Sequence, residues 1–400
     1  MDKGFLVLVV NVGSTTFKFR LFDMKESVTL AKGRFERVGE EDSSYEYEGR
    51  EAIIGGILNT LGGYIPCINM MFSLLIEESV IEAAEDIDAI GFKAVMCGKN
   101  TRPTVVDDEI LSQMNSYSFV APAHNPPYIA AMKAFREMLP EVPQVAVFDT
   151  AFHSTIPDYA SVYSLRKDLC DKHDIRKYGF HGASHSYVAW KLSQVYENAS
   201  KIISCHLGGS ASICAIKDGR SVDTSMGFSP QSGLPMNNRN GDVDAFALLY
   251  LMEKEDMSPK AMRELLSCEC GLLGISGVSG DMRDLEISDK PEANLAIKSF
   301  AYSVKKYIGS YLAVLGGVDI ISFSGGIGEN SKYIRTLALD GLENFGVKLD
   351  PKKNEVRTPS ELTEISASDS AVKVVVTPSN EELMVAKKTY DTVREKQISS

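Results

Sequence analysis

Two polar, glycine-containing runs in this sequence each follow an apolar run and hold residue types that bind phosphate. One of them follows the apolar residues 202–205 and reads His206-Leu207-Gly208-Gly209-Ser210-Ala211-Ser212. Adjacent glycines let backbone N–H groups approach an anion, because no Cβ stands in the way. The two serines and His206 add further donors. The apolar residues 213–216 follow, so the stretch predicts a strand, a phosphate-binding turn and a second strand.

The same design occurs near the start of the chain. Residues 5–10 predict a strand, Asn11-Val12-Gly13-Ser14-Thr15-Thr16 a turn, and residues 17–22 a second strand that carries Lys18 and Arg20. Two such cradles predict a duplicated domain with the phosphates of a nucleotide between its halves. The alternative of two ordinary hairpins stays open, although Ser, Thr and Lys chemistry in the turns favours the cradles.

Composition limits the classes of partner. A chain of 400 residues is long for one core, so two domains are expected. The hydrophobic content of 44% and charged content of 24% are ordinary for a globular protein. A net charge of −12 argues against nucleic acid or an anionic membrane as the partner. An anionic substrate must therefore be met by a local basic cluster.

The cysteines and the apolar runs indicate the compartment. The seven cysteines are scattered, and Cys268-Glu269-Cys270 is too close-spaced and isolated for a zinc site. This usage is typical of a reducing cytosol. The apolar residues 5–10 are too short for a signal sequence, and no run reaches about 18 apolar residues, so no membrane span is expected. We predict a cytoplasmic protein.

The coarse pattern of elements predicts an α/β fold. Residues 52–84 are mostly helical in period, residues 87–95 form a buried strand, and residues 144–148 form a strand ending at Asp149. That position is the carboxyl edge of a strand, where open α/β sheets bind ligands. We place the domain boundary there, giving domains 1–150 and 151–384, with the C-terminal helix, about 385–400, packing back on the first.

The second half holds several loops with chemical potential. Residues 226–244 lack periodicity and form a long ordered loop, typical of functional loops, with Arg239 as its single cation. Residues 274–280 predict a flexible loop, and residues 186–197 a helix. His181 and His185 have the i, i+4 spacing of a metal pair, but a phosphate-facing His181 and a packed His185 are favoured. Residues 319–335 predict a strand, a glycine turn and a helix, without the spacing of a P-loop or dinucleotide fingerprint.

These motifs together resemble the acetate kinase family, nearly end to end and in order. The resemblance rests on Asn11 to Lys18, Pro122 to Pro127, Phe148 to His153, Gly179 to His185, His206 to Gly208, Asp223 to Phe228, Gly325 to Asn330 and Asn380 to Leu383. It implies two RNase H-like domains of the actin, chaperone-ATPase and sugar-kinase type with an interdomain cleft, and a homodimer. It also implies the reversible reaction of ATP and a short-chain carboxylate to ADP and an acyl phosphate, with magnesium or manganese.

The resemblance also assigns roles to residues of this chain. The catalytic positions are Asp149, His181 and Arg239. The substrate positions are Lys93, Val95, Ala123, His124, Phe180 and Pro230. The metal positions are Asn11 and Glu381. The ATP positions are Lys18, His206, Leu207, Gly208, Gly209, Ser210, Asp281, Met282, Arg283, Gly326, Ile327, Gly328, Glu329 and Asn330. A carboxylate substrate is ionised at neutral pH, so we expect Asp149 to orient Arg239 or hydrated magnesium and not to act as a base.

The chain departs from the family pattern at four places. Lys93 replaces the arginine that clamps the substrate, and lysine offers a point charge in place of a two-pronged fork. Gly209 replaces an asparagine, and Asn237-Asn238 replaces the Gly-Thr before Arg239. Ala123 replaces a leucine of the acyl pocket, which predicts a larger pocket and a preference shifted toward propionate, butyrate or a bulkier acid.

The departures keep a second hypothesis open beside the active carboxylate kinase. It is a catalytically impaired paralogue that binds nucleotide without turnover. An actin-like or chaperone-like ATPase lacks support, because no peptide-binding domain or extension follows the fold. A sugar acceptor is disfavoured, because Val95, Ala123, Phe180 and Pro230 predict an apolar pocket.

Overall fold

The computed structural model describes residues 4–49, 52–120 and 124–399. These residues form two compact units. The first unit contains the chain up to Ala151 together with the segment from Asn380 onward, and the second contains Phe152–Ser379. Every helix in the described ranges is too short or too polar to cross a lipid bilayer.

The first 150 residues hold eight strands and three α-helices within the described ranges. In chain order these are β1 (Leu6–Gly13), β2 (Thr16–Asp23), β3 (Val28–Glu36), β4 (Ser43–Glu48), β5 (Ile53–Leu58), α1 (Tyr64–Glu77), β6 (Ala89–Phe92), β7 (Thr104–Val105), α2 (Asp108–Ser116), α3 (Asn125–Met138) and β8 (Gln144–Ala146).

The rest of the described chain is richer in helix. In chain order it holds α4 (Asp158–Ser161), α5 (Lys167–His173), α6 (Gly182–Ser193), β9 (Lys201–Leu207), β10 (Ala211–Lys217), β11 (Arg220–Thr224), α7 (Ala245–Lys254), α8 (Pro259–Cys268), α9 (Gly271–Ser276), α10 (Met282–Glu286), α11 (Pro291–Leu315), β12 (Ile320–Ser324), α12 (Gly325–Asn330), α13 (Lys332–Leu339), β13 (Thr363–Glu364), β14 (Lys373–Val376) and α14 (Glu381–Ser399).

One sheet organises each unit, and the two sheets share a core pattern. The first has the order β5-β4-β3-β2-β1-β6-β8-β7, and the second β11-β10-β9-β12-β14-β13. In the first, β1 to β3 are antiparallel neighbours, while β6 and β8 run parallel to β1. In the second, β9 to β11 are antiparallel neighbours, while β12 and β14 run parallel to β9. The repeated pattern confirms the predicted duplicated α/β fold.

Side-chain alternation explains the hairpin of β1 and β2. Phe17, Phe19 and Leu21 are buried on one face, while Lys18 and Arg20 point to the other. The ladder continues to the pair Gly13 and Thr16. The prediction that the turn begins at Asn11 was therefore wrong, because a two-residue connection at 14–15 suffices to close an antiparallel hairpin.

The helical prediction for residues 52–84 was wrong in its first part, where β5 forms. Two glycines within six residues disfavour a helix, and Gly56 lies opposite Tyr45 of β4. A Cβ at Gly56 would come within 2.9 Å of the Tyr45 ring, so the aromatic side chain covers the glycine. The helix begins only at Tyr64, after Gly63 with φ 74°.

Two further boundaries differ from the prediction. The helix predicted from residue 186 begins at Gly182, because His181 takes a left-handed φ of 57° and ends the preceding loop there. The loop predicted at 274–280 holds the end of α9, which terminates at Gly277 with φ 59°. The segment Gly325–Gly328, predicted as a turn, lies inside α12.

The last helix packs on the sheet of the first unit. Helix α14 contacts β1, β2, β6, β7 and β8. The approach is close at Gly91 of β6, where a Cβ would lie 2.3 Å from the Thr389 hydroxyl. The start of α14 therefore stands beside the strand ends that carry the predicted metal and substrate residues of this unit.

Candidate functional site

The first unit brings Lys93 and Glu381 into a partly buried ion pair. Lys93 Nζ lies 2.6 Å from Glu381 Oε2, and the two side chains are 14% and 20% exposed. Lys93 follows β6, where its backbone N–H donates to Val10 of β1, and Glu381 begins α14. Burial lowers the pKa of Lys93, but the charges of Glu381 and Asp149 outweigh it and raise that pKa above its ordinary value. Lys93 is therefore a fixed positive charge.

Oxygen donors surround this ion pair. The Tyr128 hydroxyl donates to Asn11 Oδ1 over 2.9 Å, and burial raises the pKa of Tyr128. Asp149 is 8% exposed, and its backbone N–H donates to Ala94. An amide oxygen with a second lone pair and two carboxylates are the hard donors that magnesium prefers. No group of three His, Cys, Asp or Glu suited to a metal occurs among the described residues.

Basic side chains continue from Asn11 across the same sheet. Lys18 lies directly across from Asn11 in the β1–β2 ladder. Lys18 and Arg20 face Arg34 and Lys32 on β3 and line a cavity of about 390 Å³. Arg34 is paired with Glu46 and Lys32 with Glu48, whereas Lys18 makes no ion pair within the described ranges. The Lys18 ammonium is therefore available for an anion beside the predicted metal residues.

In the second unit, the turn Gly208–Ser210 joins β9 to β10 at the carboxyl end of β9. The neighbouring parallel strand β12 ends at the same edge, because Ser324 pairs with His206. A Cβ at Gly208 would lie 3.8 Å from the backbone nitrogen of Gly326 and 3.9 Å from His206 Nε2. The glycine turn, the His206 imidazole and the start of α12 therefore lie at one edge of the sheet. Open α/β sheets bind ligands at this edge.

Two imidazoles stand next to each other at this edge. The rings of His181 and His206 have centroids 4.5 Å apart. His181 Nδ1 lies 2.8 Å from Ser212 Oγ, and His206 Nδ1 lies 2.7 Å from Ser184 Oγ. Both Nδ1 atoms are therefore bound to serine hydroxyls of the unit's interior. The alternative of a metal pair at positions 181 and 185 is not favoured, because both nitrogens of His185 are bound to serines.

Two more histidines lie in the core behind this pair. Burial lowers the pKa of His153 to about 4 and that of His185 well below its ordinary value. His153 Nε2 lies 2.8 Å from the Phe180 carbonyl oxygen, so this nitrogen carries the hydrogen and donates. Its Nδ1 then accepts from the Ser221 hydroxyl at 2.9 Å. Both residues are uncharged supports of the peptide that carries His181.

Arg239 is held by a loop tied to the start of α9. Its guanidinium lies 3.3 Å from Ser210 Oγ and 3.4 Å from the Pro230 carbonyl. The backbone N–H groups of Cys270, Leu272 and Leu273 donate to loop carbonyls at 236–238. Gly271, at φ 62°, is where the loop comes closest, since a Cβ would lie 2.1 Å from the Met236 carbonyl oxygen. Burial lowers the pKa of Arg239, yet a guanidinium remains charged in proteins.

Two departures from the family pattern prove to be neighbours in space. The Asn237 backbone N–H donates to the Gly209 carbonyl over 3.1 Å. A Cβ at Gly209 would lie 3.2 Å from Asn237 Nδ2. The turn has no side-chain amide at position 209, but the side-chain amide of Asn237 lies directly beside Gly209. The sequence separates these residues by a strand pair and an irregular loop, and so gave no signal of the relationship.

The residues predicted to bind the nucleoside make hydrogen bonds and an ion pair with neighbouring protein groups. Asp281 caps α10 and forms an ion pair with Arg283, whose side chain is 89% exposed, while Met282 is buried. Glu329 Oε1 accepts from the backbone N–H groups of Gly325 and Ser379, both at 3.0 Å. Asn330 bridges Gly326 and Thr358. Glu329 and Asn330 thus shape the glycine-rich segment from within.

The predicted substrate residues fall into both units. Val95 is buried and His124 precedes α3 in the first unit, and Phe180 is buried while Pro230 belongs to the Arg239 loop in the second. Ala123 lies outside the described residues. The enlarged acyl pocket therefore stays a prediction.

Comparison with known proteins decides the family. The model of the acetokinase family matches residues 6–387. The chain belongs to the acetokinase family. It is therefore a phosphotransferase with a carboxyl group as acceptor. It is 45% identical over 401 residues to an acetate kinase of Dictyoglomus turgidum, with 98% of each chain covered. It is 43% identical over 400 residues to that of Thermoanaerobacter pseudethanolicus, with 97% and 99% covered.

Solved structures agree with this assignment. A crystal structure of Porphyromonas gingivalis acetate kinase has a TM-score of 0.88 and 35% identity, with 97% of this chain and 100% of that chain covered. A propionate kinase from Francisella tularensis has a TM-score of 0.89 and 35% identity, with 97% and 99% covered. Full-length similarity to named kinases supports the active carboxylate kinase over the impaired paralogue.

Proposed function

We propose that this chain transfers the γ-phosphoryl group of ATP reversibly to a short-chain carboxylate, giving ADP and an acyl phosphate. The observation that carries the proposal is the anchoring of Arg239 beside Ser210 of the glycine turn. A half-buried guanidinium held at a phosphate-binding turn is the group that phosphoryl transfer needs. The alternative acceptor, a sugar hydroxyl, would need a base, whereas a carboxylate is already ionised at neutral pH.

The second unit supplies charge stabilisation and nucleotide binding. Negative charge spreads over the equatorial oxygens of the phosphoryl group during transfer, so catalysis is mostly positioning and electrostatics. Arg239 and His181 stabilise that charge. His206, Leu207, Gly208, Gly209 and Ser210 bind the phosphates, and the segments 281–283 and 326–330 bind the nucleoside. The Asn237 amide joins the phosphate contacts, because it lies beside Gly209.

The first unit holds the metal and the carboxylate. Asn11 and Glu381 would bind a divalent cation, magnesium or manganese, since their oxygen atoms are suitable hard donors. When bound, that cation neutralises charge on the phosphates and orients them. Lys18 attracts the phosphate chain, and Lys93 attracts the substrate carboxylate as a point charge. Asp149 orients charged groups near Lys93 and needs to remove no proton.

We also propose a preference for an acid bulkier than acetate, because Ala123 is smaller than the leucine that the family resemblance implies at this position.

The chain is further proposed to form a homodimer through the exposed helix α7. This helix holds no buried residue, and Phe246, Leu249 and Tyr250 are 79%, 52% and 59% exposed. An apolar helix of ten residues without a buried side chain is typical of a surface covered in an oligomer. A second copy of the chain is the partner that the family resemblance implies.

The proposal is tested with purified protein, Mg·ATP and straight-chain acids of two to six carbons, with the acyl phosphate trapped as hydroxamate. We expect product with acetate, propionate or butyrate. Absence of product with every acid would refute the proposed kinase activity.

Two variants test the substrate residues. Lys93→Arg is expected to lower KM for every acid, whereas Ala123→Leu is expected to lower activity only with the longer acids. Light scattering during size-exclusion chromatography tests the dimer, with Phe246→Glu expected to give monomers.

A further inference from the structure

A chain of hydrogen bonds links His181 to the interior of the second unit. His181 Nδ1 lies 2.8 Å from Ser212 Oγ, and the same oxygen lies 2.8 Å from His185 Nε2. His185 Nδ1 in turn lies 2.9 Å from Ser204 Oγ. Ser204, His185 and Ser212 are each fully buried. We call these three residues the relay, and none of them carries a role in the proposed function.

The chemistry of His185 restricts the relay to three arrangements. Burial, together with the neighbouring His153 and His206, lowers the pKa of His185 well below its ordinary value, so the ring is neutral. A neutral imidazole has one nitrogen that donates and one that accepts. Each serine hydroxyl has a single hydrogen to donate. If Ser212 donates to one ring and accepts from the other, all bonds along the relay point the same way, either toward His181 or away from it. If Ser212 Oγ accepts from both rings, its own buried hydroxyl hydrogen is left without an acceptor, which is destabilising.

Counting hydrogens favours the arrangement that points toward His181. There, the Ser204 hydroxyl donates to His185 Nδ1, His185 Nε2 donates to Ser212 Oγ, and the Ser212 hydroxyl donates to His181 Nδ1. The opposite arrangement requires the Ser204 hydroxyl to find another acceptor. His185 is the single hydrogen-bond partner of Ser204 Oγ in the part of the chain that the structure describes. A buried donor without an acceptor is destabilising.

The peptide on the other side of His181 is fixed as well. His153 Nε2 donates to the carbonyl of Phe180, the residue directly before His181. His181 itself has a φ of 57°, a left-handed conformation that is uncommon for a residue with a Cβ. Hydrogen bonds therefore fix both the backbone before His181 and its imidazole ring. A side chain that makes a hydrogen bond of defined geometry needs this kind of support.

We propose that Ser204, His185 and Ser212 are positioning residues that fix His181 as its Nε2–H tautomer. The second nitrogen of His181 is then a hydrogen-bond donor without carrying a charge. A donor suits a phosphoryl oxygen, whereas the other tautomer would present a lone pair to it and repel it. This consequence for catalysis rests on the proposed function, but the tautomer itself does not.

Nitrogen-15 NMR of histidine-labelled protein tests the tautomer directly. The His181 signals are identified by their loss in His181→Gln. We expect Nε2 protonated and Nδ1 unprotonated in the unsubstituted protein. In Ser212→Ala the preference is lost and both tautomers are populated, and Ser212→Thr, which keeps the hydroxyl, restores it. Ser221→Ala is the matched control, because it removes another buried serine bound to a histidine and leaves the His181 signals unchanged.

Kinetics separate the relay from the role of His181. We expect Ser212→Ala to lower kcat by about tenfold, with KM for ATP and acid nearly unchanged. An Nδ1–H tautomer in the unsubstituted protein overturns the proposal, and this spectrum needs no variant to fold. Unchanged His181 signals in a folded Ser212→Ala protein overturn it too. A shifted tautomer in Ser212→Ala alongside full activity of His181→Gln upholds the relay and refutes the catalytic role of His181.

Discussion

The ammonium of Lys93 lies 2.6 Å from the carboxylate of Glu381, although the two residues are separated by most of the chain. By resemblance, position 93 belongs to the substrate and position 381 to the metal. In this chain the proposed substrate residue and the proposed metal residue therefore form one ion pair. If Glu381 binds a divalent cation as proposed, we expect the cation to compete with the Lys93 ammonium for this carboxylate and to make the ammonium available to the substrate.

Removal of the Lys93 charge is expected to separate the two functions. In Lys93→Met, KM for every acid rises about tenfold, because a charge-assisted hydrogen bond to the carboxylate is lost. Binding of Mg·ADP, measured by calorimetry, becomes a few-fold tighter, because no ammonium competes for Glu381. The control is Lys32→Met, whose partner Glu48 lies 2.9 Å away in an exposed pair. Weaker binding of Mg·ADP to Lys93→Met would contradict the competition.

Gly209 and Asn237 are expected to behave as one unit. Gly209→Asn crowds the Asn237 amide, and Asn237→Gly removes it, so each change alone raises KM for ATP several-fold. The double variant carries its amide on the turn, and its KM returns toward that of the unsubstituted protein. Residues in contact couple by about 0.5–3 kcal/mol, and a double-mutant cycle on kcat/KM measures this coupling.

The control for that cycle pairs Gly209→Asn with Asn238→Gly. Asn238 is exposed and adjacent in sequence to Asn237, so the second pair tests the effect of a glycine in the same loop. Additive effects on kcat/KM in both cycles would show that Gly209 and Asn237 are not energetically coupled.

Gly271 and Gly277 form a matched pair for testing the Arg239 loop. Their φ angles are 62° and 59°, so an alanine costs about 1 kcal/mol of backbone strain at either site. At Gly271 the added methyl group also meets the Met236 and Arg239 carbonyl oxygens, whereas nothing lies within 4 Å at Gly277. We expect Gly271→Ala to lower kcat/KM at least about tenfold and Gly277→Ala to lower only the melting temperature. Equal effects of the two variants on kcat/KM would show that the contact between the added methyl group and the Arg239 loop has no consequence for activity.

The buried histidines predict a loss of stability in mild acid. The pKa of His153 is lowered to about 4 by burial and by Lys177, although the bond to the Phe180 carbonyl raises it. The unfolded chain therefore binds more protons than the folded one, and stability falls as pH drops from about 6.5 toward 4. The slope is up to about 1.4 kcal/mol per pH unit for each buried histidine.

Urea unfolding between pH 7 and pH 5 measures this decline. His153→Gln cannot take up the proton and is expected to show a shallower slope, whereas His173→Gln alters an exposed residue of α5 and keeps the full slope. A slope in His153→Gln equal to that of the unsubstituted protein would contradict the assignment to His153.

The pattern of apolar and polar residues along the chain correctly predicted the elements that depend on interactions between sequence neighbours. The hairpins around Asn11 and His206 follow from alternating apolar residues and a short turn. The position of Asp149 after β8 follows from strand periodicity. By contrast, the strand β5 was missed, because its isoleucines and glycines gain a partner only when Tyr45 lies opposite.

The site required contacts between residues distant in sequence. No periodicity connects Lys93 to Glu381, or Ser212 to both His181 and His185. These contacts depend on how α14 and α6 lie against their sheets. The residue types indicated the chemistry, while tertiary packing determined which donor meets which acceptor.

The return of the C-terminal segment to the first unit has a consequence for biosynthesis. A ribosome completes Phe152–Ser379 as one continuous piece, and that unit can fold while translation continues. The first unit lacks α14, and with it the contact between Gly91 and Thr389, until the residues that follow the second unit have been translated. Nascent protein should therefore acquire protease resistance in the second unit before the first, and Lys93 meets Glu381 only after the second unit has been translated.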